Sequence, residues 1–178
     1  MPAAPTEAIE RARCVRLMLF DVDGVLTDGR LWYGARGEEL KAFSAHDGHG
    51  MKLLAAAGVR LALLSGRSSP AVTLRAAELG IDLVLQGIAD KRAAFDALLA
   101  QLALEPGVAG FMGDELVDLP VLRRCGFACA PGEAPELVRQ HAHYVARAAA
   151  GGGAVREVCE FVLRAQGRLD GALGAYLQ

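Results

Sequence analysis

The sequence predicts an α/β protein in which a central parallel sheet lies between two layers of helices, a three-layer α/β/α architecture. Short apolar segments of strand type alternate with segments that have helical spacing, and glycine or proline lies at many of the boundaries. Several of the apolar segments also end directly in polar residues, as strands do when their carboxyl ends meet at a ligand-binding crevice. Strand and helix alternate along most of the chain, which favours parallel strand order.

Composition agrees with one domain over residues 1–178. The chain is 53% hydrophobic and 22% charged, with a formal net charge of -2 and no basic cluster, so we expect no nucleic-acid partner. No apolar run approaches the ~20 residues of a membrane span. Residues 1–13 lack the apolar core of a signal peptide, which predicts a cytoplasmic protein with reduced thiols at its four cysteines.

The first third of the chain contains a strand, a hairpin and a helix. Residues 1–14 are polar and alanine-rich and are predicted to be a loosely held leader before a strand at 15–20. A β-hairpin is predicted over 29–43, with a turn at Gly34-Ala35-Arg36-Gly37 and a second strand at 38–43. Because it projects the only tryptophan, the hairpin is predicted to mediate oligomerisation. A helix follows over 47–57.

The remaining elements are predicted from periodicity and from their stop signals. Ser69-Pro70 has the order of a helix cap followed by proline, and Gly80 ends that helix. Residues 168–178 lose periodicity and are predicted to be a mobile tail. Strands are expected at 59–64, 81–85, 108–112, 126–130 and 143–145, and helices near 70–79, 90–102, 119–123, 135–140 and 154–166.

Asp21 and Asp23 follow the first apolar strand directly and give the first sign of chemistry. Two carboxylates this close repel each other unless a cation lies nearby. Mg²⁺ prefers such oxygen ligands, so the pair predicts a magnesium site at the end of the strand. Taken alone, an aspartate pair before Gly24 also fits an ordinary strand followed by a turn.

Further polar residues follow the other strands of the predicted sheet. If the strands are parallel, these side chains face the same crevice as Asp21 and Asp23. This combination suits the transfer of a phosphoryl group. The carboxylates would hold Mg²⁺, while a lysine and a hydroxyl would neutralise and bind the non-bridging phosphoryl oxygens. The additional residues are Ser65, Lys91, Asp114, Glu115 and Asp118.

These segments resemble the four motifs of the haloacid dehalogenase-like (HAD) superfamily. The motifs are Asp21-Val-Asp23-Gly-Val-Leu-Thr27, Ser65, Lys91 and Gly113-Asp114-Glu115-x-x-Asp118. The resemblance implies a Rossmann-like fold with Asp21 as the nucleophile that forms an aspartyl-phosphate and Asp23 as the general acid and base.

The same resemblance implies the remaining roles. Asp114, the Asp21 carboxylate and the main-chain carbonyl of Asp23 would hold Mg²⁺, and Asp118 would support the metal or Lys91. Ser65 and Lys91 would grip the phosphate. The segments between the motifs are too short for a cap domain, so neighbouring subunits are expected to complete the site.

Within the superfamily the chain is similar to the 3-deoxy-D-manno-octulosonate (Kdo) 8-phosphate phosphatases. The segments that carry this likeness are 20–29, Asp47-Gly-His-Gly50, Ser65-Gly-Arg67, Gly80-Ile81, Gln86-Gly87, Lys91, Gly113-Asp114 and Gly153-Ala-Val-Arg-Glu157. The likeness implies a capless homotetramer that supplies Kdo for lipopolysaccharide. It also implies that the substrate contacts are made by Ser65, Gly66, Arg67, Arg75 and Lys91.

Two departures from the family pattern leave alternatives open. Glu115 stands where the fourth motif usually has aspartate, and Gly152 stands where arginine, lysine or asparagine is frequent. Because Gly152 removes a polar side chain, a phosphatase for a related nonulosonate 9-phosphate is an alternative. A non-catalytic oligomerisation module with the same fold is another, although the four motif residues Asp21, Asp23, Lys91 and Asp114 are intact.

Overall fold

A six-stranded parallel sheet forms the centre of the computed structural model, which describes residues 6–35, 39–174 and 176–177. The strands, including a separate two-stranded hairpin, are β1 Leu17–Phe20, β2 Trp32–Tyr33, β3 Glu39–Leu40, β4 Arg60–Leu64, β5 Leu83–Leu85, β6 Ala109–Met112, β7 Phe127–Ala130 and β8 Tyr144–Val145. The helices are α1 Thr6–Arg13, α2 Ala45–Ala56, α3 Pro70–Leu79, α4 Lys91–Leu102, α5 Leu119–Leu122, α6 Glu136–Gln140, α7 Ala154–Ala165 and α8 Leu169–Gly174. Short 3-10 turns lie at Pro106–Val108 and Leu116–Asp118.

The sheet has the order β5-β4-β1-β6-β7-β8, with every neighbouring pair parallel. Strand β1 therefore lies between β4 and β6, and Leu19 is opposite both Ala62 and Phe111. The predicted α/β fold is confirmed. Strand β1 begins at Leu17, two residues later than predicted, and β5 begins at Leu83 rather than Ile81.

Helices cover both faces of the sheet because successive strand residues point to opposite sides. In β1, Met18 and Phe20 face a core shared with α1, α2, α3 and α7, while Leu17 and Leu19 face a core shared with α4, α5 and α6. All four side chains are fully buried. This two-sided burial explains why the strand is continuously apolar until it reaches Asp21.

The predicted loose leader is wrong over residues 6–13, which form α1. Ala8 and Ala12 are one helical turn apart and are buried against the core that contains α7. The side chain of Gln166 donates a hydrogen bond to the Val15 carbonyl at 2.8 Å and so links the end of α7 to this segment. The sequence hides the helix because its buried face consists of two small alanines.

The predicted mobile tail, residues 168–178, begins as a packed segment instead. Leu169 starts α8 and is buried, and Arg168 donates a hydrogen bond to the Ala57 carbonyl. The ring of Tyr176 meets His49 edge to face, with ring centroids 5.4 Å apart. Residues 175 and 178 lie outside the described part. Leu169 anchors the tail. Helical periodicity in the sequence does not reveal this, because α8 is only six residues long.

The hairpin is present but shorter than predicted. Strands β2 and β3 are antiparallel, with Trp32 opposite Leu40. Residues 36–38, which include the second half of the predicted turn, lie outside the described residues. Between β1 and β4 the described residues form only this hairpin and α2, as expected for a chain without a cap domain.

All four cysteines are free thiols, and three of them are buried. Burial raises the pKa of the Cys125 thiol to about 12, which makes it unreactive as a nucleophile. In the described part of the chain, no helix combines the length and the apolar character required to cross a bilayer.

We predict that Gly126→Ala destabilises the fold. A Cβ atom at this position would lie 2.2 Å from the Gly107 carbonyl oxygen, and backbone cannot move aside cheaply. We expect the free energy of unfolding to fall by about 1–3 kcal/mol, measured by urea denaturation. Gly107→Ala is the matched control because its Cβ would meet nothing within 4 Å. Equal midpoints for the two variants would contradict the prediction.

Candidate active site

The loops after β1, β4 and β6 meet at the carboxyl edge of the sheet, together with the first residue of α4. Strand β1 ends before Asp21, β4 ends before Ser65 and β6 ends before Gly113-Asp114. Lys91 begins α4. The topology thus brings the four predicted motifs to one place, as parallel order requires.

The ammonium of Lys91 lies between two carboxylates. Its Nζ is 2.9 Å from Asp21 Oδ2 and 2.6 Å from Asp118 Oδ1. A helix N-terminus disfavours positive charge, and burial acts to lower the pKa of Lys91, yet Asp21 and Asp118 outweigh burial and raise it. Lys91 is therefore a charged group that two buried anions hold in place.

Asp118 is fully buried and organises the loop after β6. One of its oxygens pairs with Lys91, and the other accepts hydrogen bonds from the backbone N–H groups of Asp114 at 3.0 Å and Glu115 at 3.1 Å. A Cβ at Gly113 would lie 2.6 Å from Asp118 Cβ, so glycine is required for this close approach. Because both oxygens already have partners, Asp118 is suited to support the cluster.

Asp114 supplies a carboxylate that the described residues do not satisfy. Its Oδ1 is buried and has no hydrogen-bond partner among them. Carboxylate oxygens of Asp21, Asp114 and Asp118 all lie within 4.8 Å of one another, although Lys91 pairs with only two of these residues. Three anions around one ammonium leave a deficit of positive charge at Asp114.

The pKa values of Asp21 and Asp114 are both raised, in agreement with this deficit of positive charge. Burial, followed by the charge of Asp118, raises the pKa of Asp21 to about 6, although Lys91 opposes the shift. Burial, followed by the charges of Asp21 and Asp118, raises the pKa of Asp114 to about 8. A divalent cation would displace these protons and supply the missing charge. The donor set and the unpartnered oxygen therefore fit Mg²⁺.

The loop from Asp21 to Gly29 is shaped to bring Asp114 close. The Val22 N–H donates to Asp21 Oδ1 at 2.7 Å, and the Thr27 hydroxyl accepts from the Gly29 N–H at 3.2 Å. Gly24 has φ +87°, and a Cβ there would lie 2.0 Å from Asp114 Oδ2. Only glycine permits both this conformation and this approach.

The carboxylate of Asp23 is not part of the acidic cluster. Its Oδ1 accepts a hydrogen bond from Lys41, and its Oδ2 lies 3.6 Å from Arg67 Nε. The predicted role of Asp23 in metal binding uses its main-chain carbonyl and stays a prediction. The Lys41 contact was missed because the second strand of the hairpin was interpreted only as an assembly element. No local pattern in the sequence marks this contact, because the burial of Lys41 beside Asp23 depends on tertiary packing.

The segment after β4 places Ser65 and Arg67 beside this group. Ser65 is buried, and its hydroxyl accepts a hydrogen bond from the Arg67 N–H at 3.3 Å. The Arg67 guanidinium also donates to the Tyr33 hydroxyl at 2.6 Å. Gly66 is exposed between them. The predicted contacts of these three residues with phosphate or sugar stay predictions.

Arg75 contacts residues that are not members of the acidic cluster. It donates to the Ser44 carbonyl at 3.0 Å and to Glu78 at 2.8 Å, and its guanidinium lies over the Phe43 ring. A Cβ at Gly48 would lie 2.2 Å from it. The predicted role of Arg75 in substrate binding stays a prediction.

A third buried aspartate, Asp47, anchors the glycine-rich loop and was missed as a supporting residue. Its carboxylate accepts hydrogen bonds from the N–H groups of Gly153 at 3.2 Å and Arg156 at 2.8 Å. Gly151 donates to the Val25 carbonyl at 3.1 Å, which joins the loop to the nucleophile segment. Gly152 therefore lies in a loop that is held on both sides, by the contact of Gly151 with the nucleophile segment and by the contact of Gly153 with Asp47.

The departure at Glu115 points outward. The side chain is exposed, and it accepts a hydrogen bond from the Leu116 N–H at 2.6 Å, which caps the 3-10 turn. It adds no ligand to the cluster, and Asp114 and Asp118 occupy the positions expected for the motif.

His143 has a structural role at the far edge of the sheet, where its ring accepts a hydrogen bond from the Ala128 N–H at 2.8 Å.

Curated relatives cover nearly the whole chain, although no protein-family profile matches it. A 3-deoxy-D-manno-octulosonate 8-phosphate phosphatase, KdsC, from Yersinia pestis is 43% identical over 168 residues, covering 94% of this chain and 90% of that protein. The KdsC of Escherichia coli strain K12 is 44% identical over 168 residues, covering 94% and 89%.

Solved structures give the same result. The phosphatase of this name from Moraxella catarrhalis, in complex with magnesium, phosphate and Kdo, has a TM-score of 0.94 at 39% identity, covering 96% of this chain and 98% of that one. The cobalt-bound phosphatase from Haemophilus influenzae has a TM-score of 0.89 at 37% identity, covering 94% and 99%.

We predict that Gly24→Ala removes metal binding. The new Cβ would collide with the Asp114 carboxylate, so the affinity for Mg²⁺ measured by titration calorimetry should fall by about tenfold or more. Gly29→Ala is the matched control, since Gly29 also has positive φ but its Cβ would meet nothing closer than 3.6 Å. Both variants should lose about 1–2 kcal/mol of stability to backbone strain. Equal Mg²⁺ affinity in the two would contradict the prediction.

Proposed function

Because the chain belongs to the 3-deoxy-D-manno-octulosonate 8-phosphate phosphatase family, we propose that the acidic cluster carries out that family's reaction with Asp21 as the nucleophile. The protein is a Mg²⁺-dependent phosphoric monoester hydrolase that converts Kdo 8-phosphate into Kdo and inorganic phosphate, a step in the supply of lipopolysaccharide precursors. The observation that carries the assignment of residues is the unpartnered Asp114 oxygen beside the Asp21–Lys91–Asp118 group.

Asp21 is positioned to attack phosphorus. The Val22 N–H and the Lys91 ammonium fix its two oxygens and hold its carboxylate at the end of β1. Attack forms the bond from Asp21 to phosphorus while the bond to the sugar oxygen breaks, which leaves an aspartyl-phosphate. Lys91 and the Ser65 hydroxyl neutralise and bind the non-bridging phosphoryl oxygens as charge develops on them.

Asp23 supplies and recovers the proton. Its carboxyl group protonates the departing sugar oxygen, and the resulting carboxylate then takes a proton from the water that attacks the aspartyl-phosphate. Inorganic phosphate leaves, and both aspartates return to their starting states. Asp23 performs this role from outside the acidic cluster, next to Lys41 and Arg67.

The metal site is formed by the Asp21 and Asp114 carboxylates and the main-chain carbonyl of Asp23, with Asp118 holding the loop and Lys91. When bound, Mg²⁺ offsets the negative charge of the cluster and of the phosphoryl group. The two carboxylates carry the raised pKa values, as expected for oxygens that lack a cation.

The sugar is held at the rim of the site. Arg67 lies beside Asp23 and follows the exposed Gly66, and the glycine-rich loop with Gly152 lies beside the nucleophile segment. Arg75 is the further residue we assign to substrate, through the family resemblance. A nonulosonate 9-phosphate is the second candidate substrate, because Gly152 offers no side chain to select the sugar. The non-catalytic alternative is disfavoured by the intact buried cluster.

We also propose that the protein is a cytoplasmic homotetramer. The hairpin exposes Leu31, Trp32, Tyr33 and Leu40, with Trp32 58% exposed, and so large an apolar surface on a projecting element is typical of an interface. The four unpaired cysteines suit a reducing compartment.

We predict that the purified protein releases phosphate from Kdo 8-phosphate with Mg²⁺ and that EDTA stops the release. Asp21→Asn should lower kcat by about 10³-fold or more, because an amide cannot act as the nucleophile. Asp28→Asn is the control, since Asp28 is exposed and pairs with Arg30 outside the cluster. Circular dichroism should show the same fold in both variants.

Two results would contradict this assignment. Normal turnover of Asp21→Asn would remove Asp21 as the nucleophile. A higher kcat/KM for a nonulosonate 9-phosphate than for Kdo 8-phosphate would identify the alternative sugar as the substrate.

The tetramer leads to a separate prediction. Trp32→Glu should reduce the mass measured by light scattering below that of a tetramer, because it places a charge in the apolar surface of the hairpin. Leu137→Glu, an exposed leucine on α6, is the control and should leave the mass unchanged. An unchanged tetramer in Trp32→Glu would exclude the hairpin as the assembly contact.

A further inference from the structure

We propose that Lys41 is a positioning residue that fixes the acid–base carboxylate of Asp23, so that the hairpin supports proton transfer through Asp23. The inference rests on the proposed role of Asp23 as the general acid. It gives the hairpin, which the sequence indicated only as a means of assembly, a role in holding the acid–base residue in place.

The burial of Lys41 is the first step. Lys41 directly follows β3, and its side chain is 1% exposed, whereas Leu40 at the end of that strand is largely exposed. Moving an ammonium out of water is costly unless an anion compensates for it. The ammonium of Lys41 donates a hydrogen bond to Asp23 Oδ1, and Asp23 is itself only 19% exposed. This contact joins the hairpin to the loop after β1.

The pairing leaves the two oxygens of Asp23 in different environments. Oδ1 is occupied by Lys41, while Oδ2 is buried and accepts no hydrogen bond from the described residues. The side chain is therefore held in one orientation, with Oδ2 as the oxygen left to carry the proton to the sugar oxygen. A general acid must be held within hydrogen-bond reach of the leaving group, and fixing the carboxylate serves that requirement.

A second contact connects the hairpin to the same carboxylate. Tyr33 lies on β2 and accepts a hydrogen bond from Arg67 at 2.6 Å, and Arg67 Nε is 3.6 Å from Asp23 Oδ2. The hairpin thus contacts Asp23 in two ways, directly through Lys41 at the end of β3 and through Arg67 from Tyr33 on β2. An element that served assembly alone would not require a buried lysine aimed at this residue.

Leaving-group dependence tests the proposal. A sugar alkoxide needs a proton to depart, whereas p-nitrophenolate is a good leaving group and needs none. We expect Lys41→Met to lower kcat/KM for Kdo 8-phosphate by about tenfold or more, and that for p-nitrophenyl phosphate by less than about threefold. The ratio kcat/KM is the useful quantity because it covers formation of the aspartyl-phosphate and not its later hydrolysis.

Matched variants separate positioning from structural support. Lys52→Met removes an exposed lysine from α2 and should change neither ratio. Lys41→Arg keeps the cation and should recover most of the lost kcat/KM for Kdo 8-phosphate. Light scattering and circular dichroism of Lys41→Met should match the parent protein. Equal losses on both substrates, or no loss on Kdo 8-phosphate, would overturn the proposal.

Asp23→Asn distinguishes failure of this inference from failure of the proposed function. If Asp23→Asn shows the leaving-group dependence and Lys41→Met does not, Lys41 has no positioning role. If neither variant shows it, Asp23 is not the general acid and the proposed mechanism is wrong. If Lys41 acts through Asp23, its substitution should change kcat/KM by less than about twofold in the Asp23→Asn background.

Discussion

The ammonium of Lys91 between Asp21 and Asp118 is the interaction on which the site depends. Removing either carboxylate from water is costly, and the lysine compensates for both because α4 begins at the edge of the sheet where β1 ends. Asp118 in turn fixes the backbone of the loop that carries Asp114. Lys91 does not pair with Asp114, whose negative charge no cation among the described residues balances. The site therefore needs one more cation.

Sheet topology explains how residues far apart in the sequence reach that lysine. Strand β1 is central, and β4 and β6 flank it in parallel, so their carboxyl ends deliver Asp21, Ser65 and Asp114 to one edge. Close packing requires glycine where loops cross, as Gly24 does against Asp114 and Gly113 against Asp118. The positions that lack side chains thus determine the site as much as the positions that carry charge.

The parallel sheet and the meeting of four motifs could be predicted from sequence because both follow from local patterns: apolar strands that stop at polar residues, and a fixed direction for every strand. Contacts that depend on tertiary packing could not. Ala8 and Ala12 bury a helix in a segment that looks polar, and Leu169 anchors a tail without periodicity. Asp47 and Lys41 are polar residues that become buried through partners distant in the sequence, Arg156 and Asp23.

The hairpin joins the proposed assembly surface to the proposed acid–base residue in a chain without a cap domain. Without a cap domain, another element has to shield an aspartyl-phosphate from water. Between β1 and β4, where a cap domain could be inserted, the described residues form only the short hairpin and α2. The apolar side chains of the hairpin are exposed, while Lys41 contacts Asp23 and the hydroxyl of the exposed Tyr33 accepts a hydrogen bond from Arg67. In the proposed function, one element therefore presents the proposed assembly surface and also places a cation beside the proposed acid–base residue.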